Sequence, residues 1–297
     1  MPLKASLKRH HPEAILRILL VERPEVVQQL AERFGEPFLS VDQIDCPNWR
    51  QMAFYYNVIE MNTALKPHLM LALFRDPSLA AERVLYFDAD VRFYSSPLEI
   101  EQQLDSASIL MTPHLTRPID GERHTMDEAS IVSGGQFNMG FLGVRRSDNT
   151  LRVLEWLKAK LELECIYDVR RHLYTDQWWA QLFLSFEGGC KVLRSEGYNM
   201  AWWNVCQRTL TYDDDTGAYT TADGPLVFFH FSNLPEDDPG RLATAQRRVR
   251  VEPGSPSYRI LDDYVREVRM WRRCLGPLGP YSFEHFSSGR RIKGLDR

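Results

Sequence analysis

Short apolar runs alternate with patterns of helical period along the first hundred residues. In chain order they predict the end of a helix, a strand, three helices and a strand, at residues 3–11, 15–21, 24–35, 49–59, 60–75 and 83–88. The helix at 24–35 has a proline at its start and a glycine at its end, which are the usual residues at these two positions. This alternation is typical of an α/β protein with helices packed on a sheet.

The rest of the chain continues in the same manner. Strands are predicted at 107–111, 138–144 and 226–232, helices at 150–164, 174–186 and 257–275, a hairpin at 209–221, and a polar loop with two histidines at 113–135. We therefore expect a catalytic domain over 1–255, with a C-terminal helix and tail over 256–297 packed on it. A doubly wound layer normally opens with a strand, so the first strand of the sheet is expected to be missing from this sequence.

Composition and charge exclude several classes of protein. With 44% hydrophobic and 26% charged residues the chain can bury a large core, and a net charge of −4 gives no basic field for nucleic acid. The apolar run at 14–21 contains Arg17 and is far shorter than the ~20 residues that span a bilayer, so no transmembrane segment is expected.

The five cysteines are widely spaced and include no C-x-x-C pair, which argues against a disulfide framework or a zinc site. We expect a cytoplasmic protein. Attachment to the inner face of the membrane stays open as an alternative.

The stretch VLYFDADVRFY places two carboxylates, Asp88 and Asp90, directly after a buried strand. Side chains two apart on a strand point the same way, and two such carboxylates repel each other unless a cation or a shared proton lies between them. Mg²⁺ or Mn²⁺ carrying a diphosphate would relieve the repulsion. The alternative is that Asp88 caps the next turn and Asp90 is simply exposed.

The Asp-x-Asp spacing by itself is uninformative, because about one such pair is expected by chance in a chain of this length. A second one, within 213–215, lies beside Thr216 and Gly217 between two strand-like runs and predicts a solvated hairpin turn. The pair at Asp88 and Asp90 differs by its place at a strand end, where ligands bind in open α/β sheets.

The same motif also allows a second chemistry. Four apolar residues followed by Asp-x-Asp begin the haloacid-dehalogenase-like phosphatases, in which the first aspartate is a nucleophile. Val91 stands where that family usually has threonine, the motif lies far from the N-terminus, and no later acidic metal motif is convincing. The phosphatase is kept as the weaker alternative.

Four further stretches combine amide, carboxylate or imidazole groups with aromatic residues, which is the surface that sugars require. They contain Asn138 and Gly140 (136–144), Asp176 and Gln177 (174–181), Asn199, Trp203 and Asn204 (197–204), and His230 (228–233). Each alone has a plain structural explanation, such as a core tryptophan, a turn asparagine or a hydrogen-bonded core histidine. Four such stretches that follow the Asp88–Asp90 pair in one chain favour sugar chemistry.

In this order the stretches resemble nucleotide-sugar-dependent glycosyltransferases of the GT-A fold, of the type that serves bacterial glycan and polysaccharide biosynthesis. The resemblance extends over nearly the whole chain. It implies a Rossmann-like mixed α/β sheet flanked by helices, and metal-dependent transfer of a hexose from a nucleoside diphosphate sugar. UDP is the expected nucleotide, and the acceptor would be a hydroxyl of a glycan, a lipid-linked glycan or a protein.

The resemblance also implies roles for individual residues. Asp88, Asp90 and His230 would bind Mn²⁺ or Mg²⁺, with Mn²⁺ favoured because an imidazole is present. Asp176 and Gln177 would be catalytic. The residues implied to contact the donor or the acceptor are Lys66, Asp88, Asn138, Gly140, Asn199, Trp203 and Asn204. A nucleotide-sugar-binding protein without catalysis remains the main alternative, since the strand that would bind the base is expected to be missing.

Overall fold

The computed structural model describes residues 1–119, 125–171, 173–244, 246, 248–286 and 288–292. His124 of the predicted polar loop and residues 293–297 of the predicted tail lie outside the described residues. The α-helices are α1 (Pro2–His10), α2 (Pro24–Phe34), α3 (Trp49–Tyr55), α4 (Val58–Ala64), α5 (Lys66–Arg75), α6 (Leu98–Gln103), α7 (Glu128–Gly134), α8 (Asp148–Glu164), α9 (Thr175–Ala180), α10 (Phe183–Phe186) and α11 (Pro256–Leu275).

Short strands alternate with these helices. They are β1 (Ile18–Leu19), β2 (Phe38–Leu39), β3 (Arg83–Phe87), β4 (Val91–Phe93), β5 (Ile109–Pro113), β6 (Phe137–Arg145), β7 (Tyr167–Asp168), β8 (Leu173–Tyr174), β9 (Cys190–Val192), β10 (Met200–Ala201), β11 (Thr211–Tyr212), β12 (Tyr219–Thr221), β13 (Gly224–Pro225) and β14 (Phe228–His230). Single 3₁₀ turns lie at Val41–Gln43, Val169–Arg171 and Ser282–Glu284.

The described residues group into two compact units. The first contains those of Met1–Ala14, Leu85–Gly143 and Gly189–Pro277, and the second contains those of Ile15–Val84, Val144–Gly188 and Leu278 onward. α11 thus belongs to the first unit and the tail after it to the second. The predicted division at residue 255 stays a prediction.

The first unit contains the sheets that carry the acidic motif. One sheet has the strand order β3-β6-β5-β9, and a second has the order β10-β14-β4. β5 and β6 are buried almost throughout, as their continuous apolar sequence predicts for strands covered on both faces. In the second sheet β14 runs antiparallel to β4 with His230 opposite Val91. This register brings His230 beside the turn that joins β3 to β4.

Aromatic rings fill the core beneath that turn. Phe87 lies with its ring centroid 4.9 Å from that of Phe93 and 5.3 Å from that of Phe228, both in edge-to-face orientation. α11 closes the opposite side of the second sheet, where Tyr264 stacks on Phe231 with ring centroids 3.7 Å apart. Edge and offset contacts of this kind stabilise a core beyond the area that they bury. The core next to the strand ends is therefore packed mainly with aromatic rings.

The second unit is mainly helical. α2 begins with Pro24 and ends at Gly35, which has the left-handed φ of 62° that ends many helices, as the sequence predicts. Asn57 accepts hydrogen bonds from two backbone N–H groups at the start of α4, and Glu60 accepts one in return from the Asn57 backbone. In the tail, Phe283 packs on Trp49 with ring centroids 5.6 Å apart.

The predicted mixed α/β fold with sheets flanked by helices is confirmed, and so is the hairpin at 209–221. Three predicted helices, at 49–59, 60–75 and 174–186, are divided further than the pattern indicates. The backbone is extended at Tyr56 between α3 and α4, Leu65 separates α4 from α5, and α9 and α10 are separate within 174–186. None of the helices that the structure describes combines the length and apolar character needed to cross a membrane.

Candidate functional site

Asp88, Asp90 and His230 meet at the turn between β3 and β4. One ligand atom from each residue lies within 4.8 Å of the others. Nε2 of His230 is 3.0 Å from Oδ1 of Asp90 and 3.7 Å from Oδ2 of Asp88. The His230 side chain is 3% exposed, whereas the carboxylates are 31% and 41% exposed. The cluster therefore has a buried imidazole below two carboxylates that face solvent.

Backbone hydrogen bonds from two different strands hold this turn. The Asp88 N–H donates to the carbonyl of Gly140 at 2.9 Å, and the Phe231 N–H donates to the carbonyl of Asp90 at 2.9 Å. The Val91 N–H closes the turn by donating to the Asp88 carbonyl at 3.1 Å. Both carboxylates thus come from a backbone whose position is set by neighbouring strands, so they need little reorganisation to bind a ligand.

The residues fit a divalent cation by their chemistry. Carboxylate oxygens suit Mg²⁺, Ca²⁺ and Mn²⁺, and an imidazole nitrogen adds a preference for transition metals. Two carboxylates that share one small volume repel each other, and a cation relieves this repulsion. The structure thus brings together the three residues that the sequence predicts as metal ligands.

Tyr86 belongs to this cluster, although the sequence analysis did not select it. Its hydroxyl donates a hydrogen bond of 2.7 Å to Oδ1 of Asp88. Tyr86 precedes Asp88 by two residues, so both side chains lie on one face of the strand. That spacing was the signal in the sequence that would have identified it.

Gly140 lies against the imidazole of His230. A Cβ at residue 140 would lie 2.2 Å from Cε1 of His230 and 2.8 Å from Oδ1 of Asn138. The sequence predicted that this glycine leaves room for a ligand to approach the backbone. In the structure the ring of His230 occupies that room, so Gly140 serves to seat the buried imidazole.

Asn138 and Asn199 form the centre of a buried polar network. Oδ1 of Asn138 accepts hydrogen bonds from the Gly140 N–H at 3.1 Å and from Nδ2 of Asn199 at 3.0 Å. Nδ2 of Asn199 also donates to the Thr112 hydroxyl at 2.7 Å, and Nδ2 of Asn138 lies 3.5 Å from Nε2 of His114. Asn199 is 0% exposed and Asn138 is 8% exposed. Of these two amides, only Asn138 retains a small accessible surface.

Asn204 shapes the turn that follows Asn199. Its side chain accepts from the Ala201 N–H at 2.9 Å and donates to the Asn199 carbonyl at 3.0 Å. Asn199 itself has a φ of 53°, which asparagine tolerates better than most residues. The amide of Asn204 is therefore used to hold its own loop in place.

Trp203 packs between two histidines. Its ring lies edge-on to His230 and to His114, with centroids 5.2 Å and 5.3 Å away. Burial lowers the pKa of His114 to about 4, so this imidazole is neutral at physiological pH. His114 follows a buried strand within the polar loop, and its place in the sequence indicated no role.

Lys66 and Asp176 form a buried ion pair in the second unit. Nζ of Lys66 is 2.9 Å from Oδ2 of Asp176, and the two side chains are 7% and 4% exposed. Lys66 begins α5, and Asp176 lies in the first turn of α9 after Thr175, whose φ is 51°. Gln177 follows Asp176 in α9 and is half-buried. The sequence analysis assigned Lys66 to the donor, whereas in the structure its ammonium contacts Asp176.

The predicted site residues thus divide between the two units. The first unit contains Asp88, Asp90, Asn138, Gly140, Asn199, Trp203, Asn204 and His230, and the second contains Lys66, Asp176 and Gln177. Hydrogen bonds or ring contacts join Asn138, Gly140, Asn199, Trp203 and Asn204 beside the cluster of Asp88, Asp90 and His230.

Comparison with known protein families finds no family model that matches the chain. Two curated proteins of Bacillus subtilis (strain 168) are similar in sequence. Uncharacterized protein YfnF is 30% identical over 171 residues, which are 57% of this chain and 54% of YfnF. Uncharacterized protein YfnD is 25% identical over 280 residues, which are 91% of this chain and 85% of YfnD. The match therefore spans about half the length of YfnF and most of YfnD.

Two solved structures are also similar. An active-site mutant of LgtC gives a TM-score of 0.43 at 16% identity, with 88% of this chain and 89% of that chain covered. Mouse xyloside xylosyltransferase 1 in its apo form gives a TM-score of 0.44 at 17% identity, with 79% of this chain and 91% of that chain covered.

Proposed function

We propose that this chain is a metal-dependent glycosyltransferase of the GT-A type. It transfers a hexose from a nucleoside diphosphate sugar, with UDP as the expected nucleotide, to a hydroxyl of a glycan, lipid-linked or protein acceptor. The observation that carries the proposal is the cluster of Asp88, Asp90 and His230, whose three ligand atoms lie within 4.8 Å at the end of a strand.

The donor set defines the cofactor that we propose. Two carboxylate oxygens and one imidazole nitrogen favour Mn²⁺ over Mg²⁺, since Mg²⁺ prefers an all-oxygen environment. A bound divalent cation would supply charge neutralisation to the leaving diphosphate. Two backbone hydrogen bonds hold the Asp88–Asp90 turn, and so they fix the position of the two carboxylates that would bind the cation. The Asp88 N–H donates to the Gly140 carbonyl in β6, and the Phe231 N–H donates to the Asp90 carbonyl.

Asn138 is the residue of the buried network that we assign to the transferred sugar. It keeps 8% exposure, whereas Asn199 and Asn204 are 0% and 1% exposed and bond to neighbouring groups. We therefore assign Asn199, Asn204 and Trp203 to support of Asn138 and His230. Gly140 supports the site by leaving room for the His230 ring.

Asp176 and Gln177 remain our candidates for the catalytic groups. A carboxylate near the anomeric carbon stabilises the positive charge that develops there as the glycosidic bond breaks. Nζ of Lys66 lies 2.9 Å from Oδ2 of Asp176. We therefore assign Lys66 to the positioning of Asp176.

We retain the cytoplasmic location that the sequence predicts. Three arginines of α11 contact acidic side chains: Arg259 contacts Asp214 at 2.7 Å, Arg266 contacts Asp262 at 2.9 Å and Arg272 contacts Glu236 at 2.7 Å. Such pairs reduce the positive field that would attract an anionic lipid surface. This supports the assignment of α11 to a solvated helix and not to a lipid-binding one.

The test is release of UDP from a panel of UDP-hexoses by the purified chain, with and without Mn²⁺. We expect turnover that needs Mn²⁺ and falls at least a hundredfold in Asp90→Asn and His230→Gln. Asp215→Asn, in the exposed hairpin turn, is the matched control and should behave as the unmodified chain. Undiminished turnover in Asp90→Asn would contradict the metal assignment.

The same experiment separates the alternatives. Binding of UDP by calorimetry without release of product would identify a nucleotide-sugar-binding protein. Hydrolysis of a simple phosphomonoester without any response to UDP would support the haloacid-dehalogenase-like phosphatase.

A further inference from the structure

Tyr86 contacts the metal cluster through one oxygen of Asp88. The hydroxyl donates to Oδ1 at 2.7 Å, which is at the upper end of the usual range for a hydrogen bond from a hydroxyl to a carboxylate. Tyr86 lies on β3 two residues before Asp88, so the strand itself directs both side chains to one face. The contact therefore follows from the local backbone.

The two oxygens of Asp88 have different surroundings. Oδ1 accepts the Tyr86 hydrogen bond, whereas Oδ2 is the oxygen that faces Nε2 of His230, at 3.7 Å. A carboxylate binds a cation with both oxygens only when both are turned toward it at about 2.3–2.6 Å. A hydrogen bond to Oδ1 from the side favours coordination through Oδ2 alone.

The other two protein ligands each direct one atom toward the cluster. His230 supplies one nitrogen, and its ring is held between Gly140 and Trp203. Asp90 presents Oδ1 at 3.0 Å from that nitrogen. Three single donor atoms would suit Mn²⁺ or Mg²⁺, because Mg²⁺ is usually held by one or two carboxylates together with water and substrate oxygens. Ca²⁺ takes six to eight oxygens and often a two-oxygen carboxylate.

We propose that Tyr86 is a positioning residue that holds Asp88 in one-oxygen coordination and so sets the preference of this site for Mn²⁺ over Ca²⁺. The proposal rests on the metal site of the proposed function and is independent of sugar transfer. Outer partners that orient metal ligands commonly change affinity by about ten- to a hundredfold when they are removed.

Tyr86→Phe tests the proposal, because it removes the hydroxyl and leaves the ring. Tyr94→Phe is the matched control, since the Tyr94 hydroxyl is buried in the same unit and has no hydrogen-bond partner among the described residues. Mn²⁺ affinity is measured by electron paramagnetic resonance of the free ion, and Ca²⁺ affinity by its displacement of Mn²⁺. Thermal unfolding of each variant is recorded beside them.

We expect Tyr86→Phe to weaken Mn²⁺ binding about tenfold and to leave Ca²⁺ binding unchanged, so that the Mn²⁺/Ca²⁺ ratio falls about tenfold. Tyr94→Phe should keep the ratio of the unmodified chain. General loosening of the turn would weaken both ions alike, and an unchanged ratio in Tyr86→Phe would overturn the proposal.

The outcomes also distinguish this inference from the proposed function. A chain that binds no Mn²⁺ at all overturns both. A chain that binds Mn²⁺, loses the Mn²⁺/Ca²⁺ preference in Tyr86→Phe and transfers no sugar supports the role of Tyr86 and contradicts the glycosyltransferase.

Discussion

Gly140 and His230 are packed so closely that a methyl group on residue 140 would lie 2.2 Å from Cε1 of the imidazole. The ring belongs to a fully buried strand end, and the backbone of β6 lies directly beside it. The absence of a side chain at residue 140 therefore determines where the His230 ring lies.

We predict that Gly140→Ala weakens Mn²⁺ binding at least tenfold, because the added methyl displaces the His230 ring from the carboxylates. Calorimetric titration with Mn²⁺ measures the effect. Gly188→Ala is the control, since no described atom lies within 4 Å of its Cβ position. Equal Mn²⁺ affinity in the two variants would show that the ring has room to shift without loss of its ligand geometry.

The Lys66–Asp176 pair makes a prediction about stability. Lys66→Met leaves the Asp176 carboxylate, at 4% exposure, without its ammonium partner, and removal of one member of a buried pair costs about 3–5 kcal/mol of the free energy of unfolding. Urea denaturation measures this loss.

The partly exposed pair of Lys158 and Asp45 provides the comparison. The Asp45 side chain is 58% exposed, so Asp45→Asn should cost less than about 1 kcal/mol. If Lys66→Met lowered the free energy of unfolding as little as Asp45→Asn does, the Asp176 carboxylate would not depend on the Lys66 ammonium for its stability.

His114 makes a prediction about pH. Its pKa in the folded chain is about 4, below the value of 6.5 for the unfolded chain, so the unfolded state binds more protons between these values. The contribution of His114 to the free energy of unfolding is therefore fully present above pH 6.5. It is lost as the pH falls toward 4, by about 3 kcal/mol in total. Thermal or urea unfolding of the unmodified chain and of His114→Gln from pH 7 to pH 4 measures it, and parallel pH profiles would contradict the assignment.

Asn204 makes a prediction about the loop that supports the site. Asn204→Ala removes two hydrogen bonds and leaves the buried Ala201 N–H and Asn199 carbonyl without these partners, at a cost of about 1–3 kcal/mol for each group. Asn62→Ala is the control, because the exposed Asn62 amide makes its bond within its own helix turn. Chemical denaturation should show a clear loss only in Asn204→Ala.

Local patterns predicted the elements well where local physics decides them. Three elements could be predicted from their own residues alone. They are α2 with its proline and glycine at the two ends, the turn at Asp213, and the apolar strand β6. The break at Tyr56 was not predicted, because the helical pattern continues across it. The Tyr56 hydroxyl donates to the carbonyl of Leu161, which lies 105 residues away in the sequence. The residues around Tyr56 give no indication of this contact.

The sequence by itself determined that Asp88 and Asp90 directly follow an apolar strand, with Tyr86 on the face of Asp88, because side-chain alternation in a strand depends only on spacing. The strand was predicted to be buried, and in the structure β3 is half-buried except at Val84. The tertiary structure decided what those carboxylates meet. The register of β14 against β4 brings His230 to them, and the lack of a Cβ at Gly140 leaves room for its ring. The fold of the second unit brings Lys66, at the start of α5, to Asp176 in α9. These relationships join residues far apart in the chain, and strand register and helix packing set them through burial of many side chains at once.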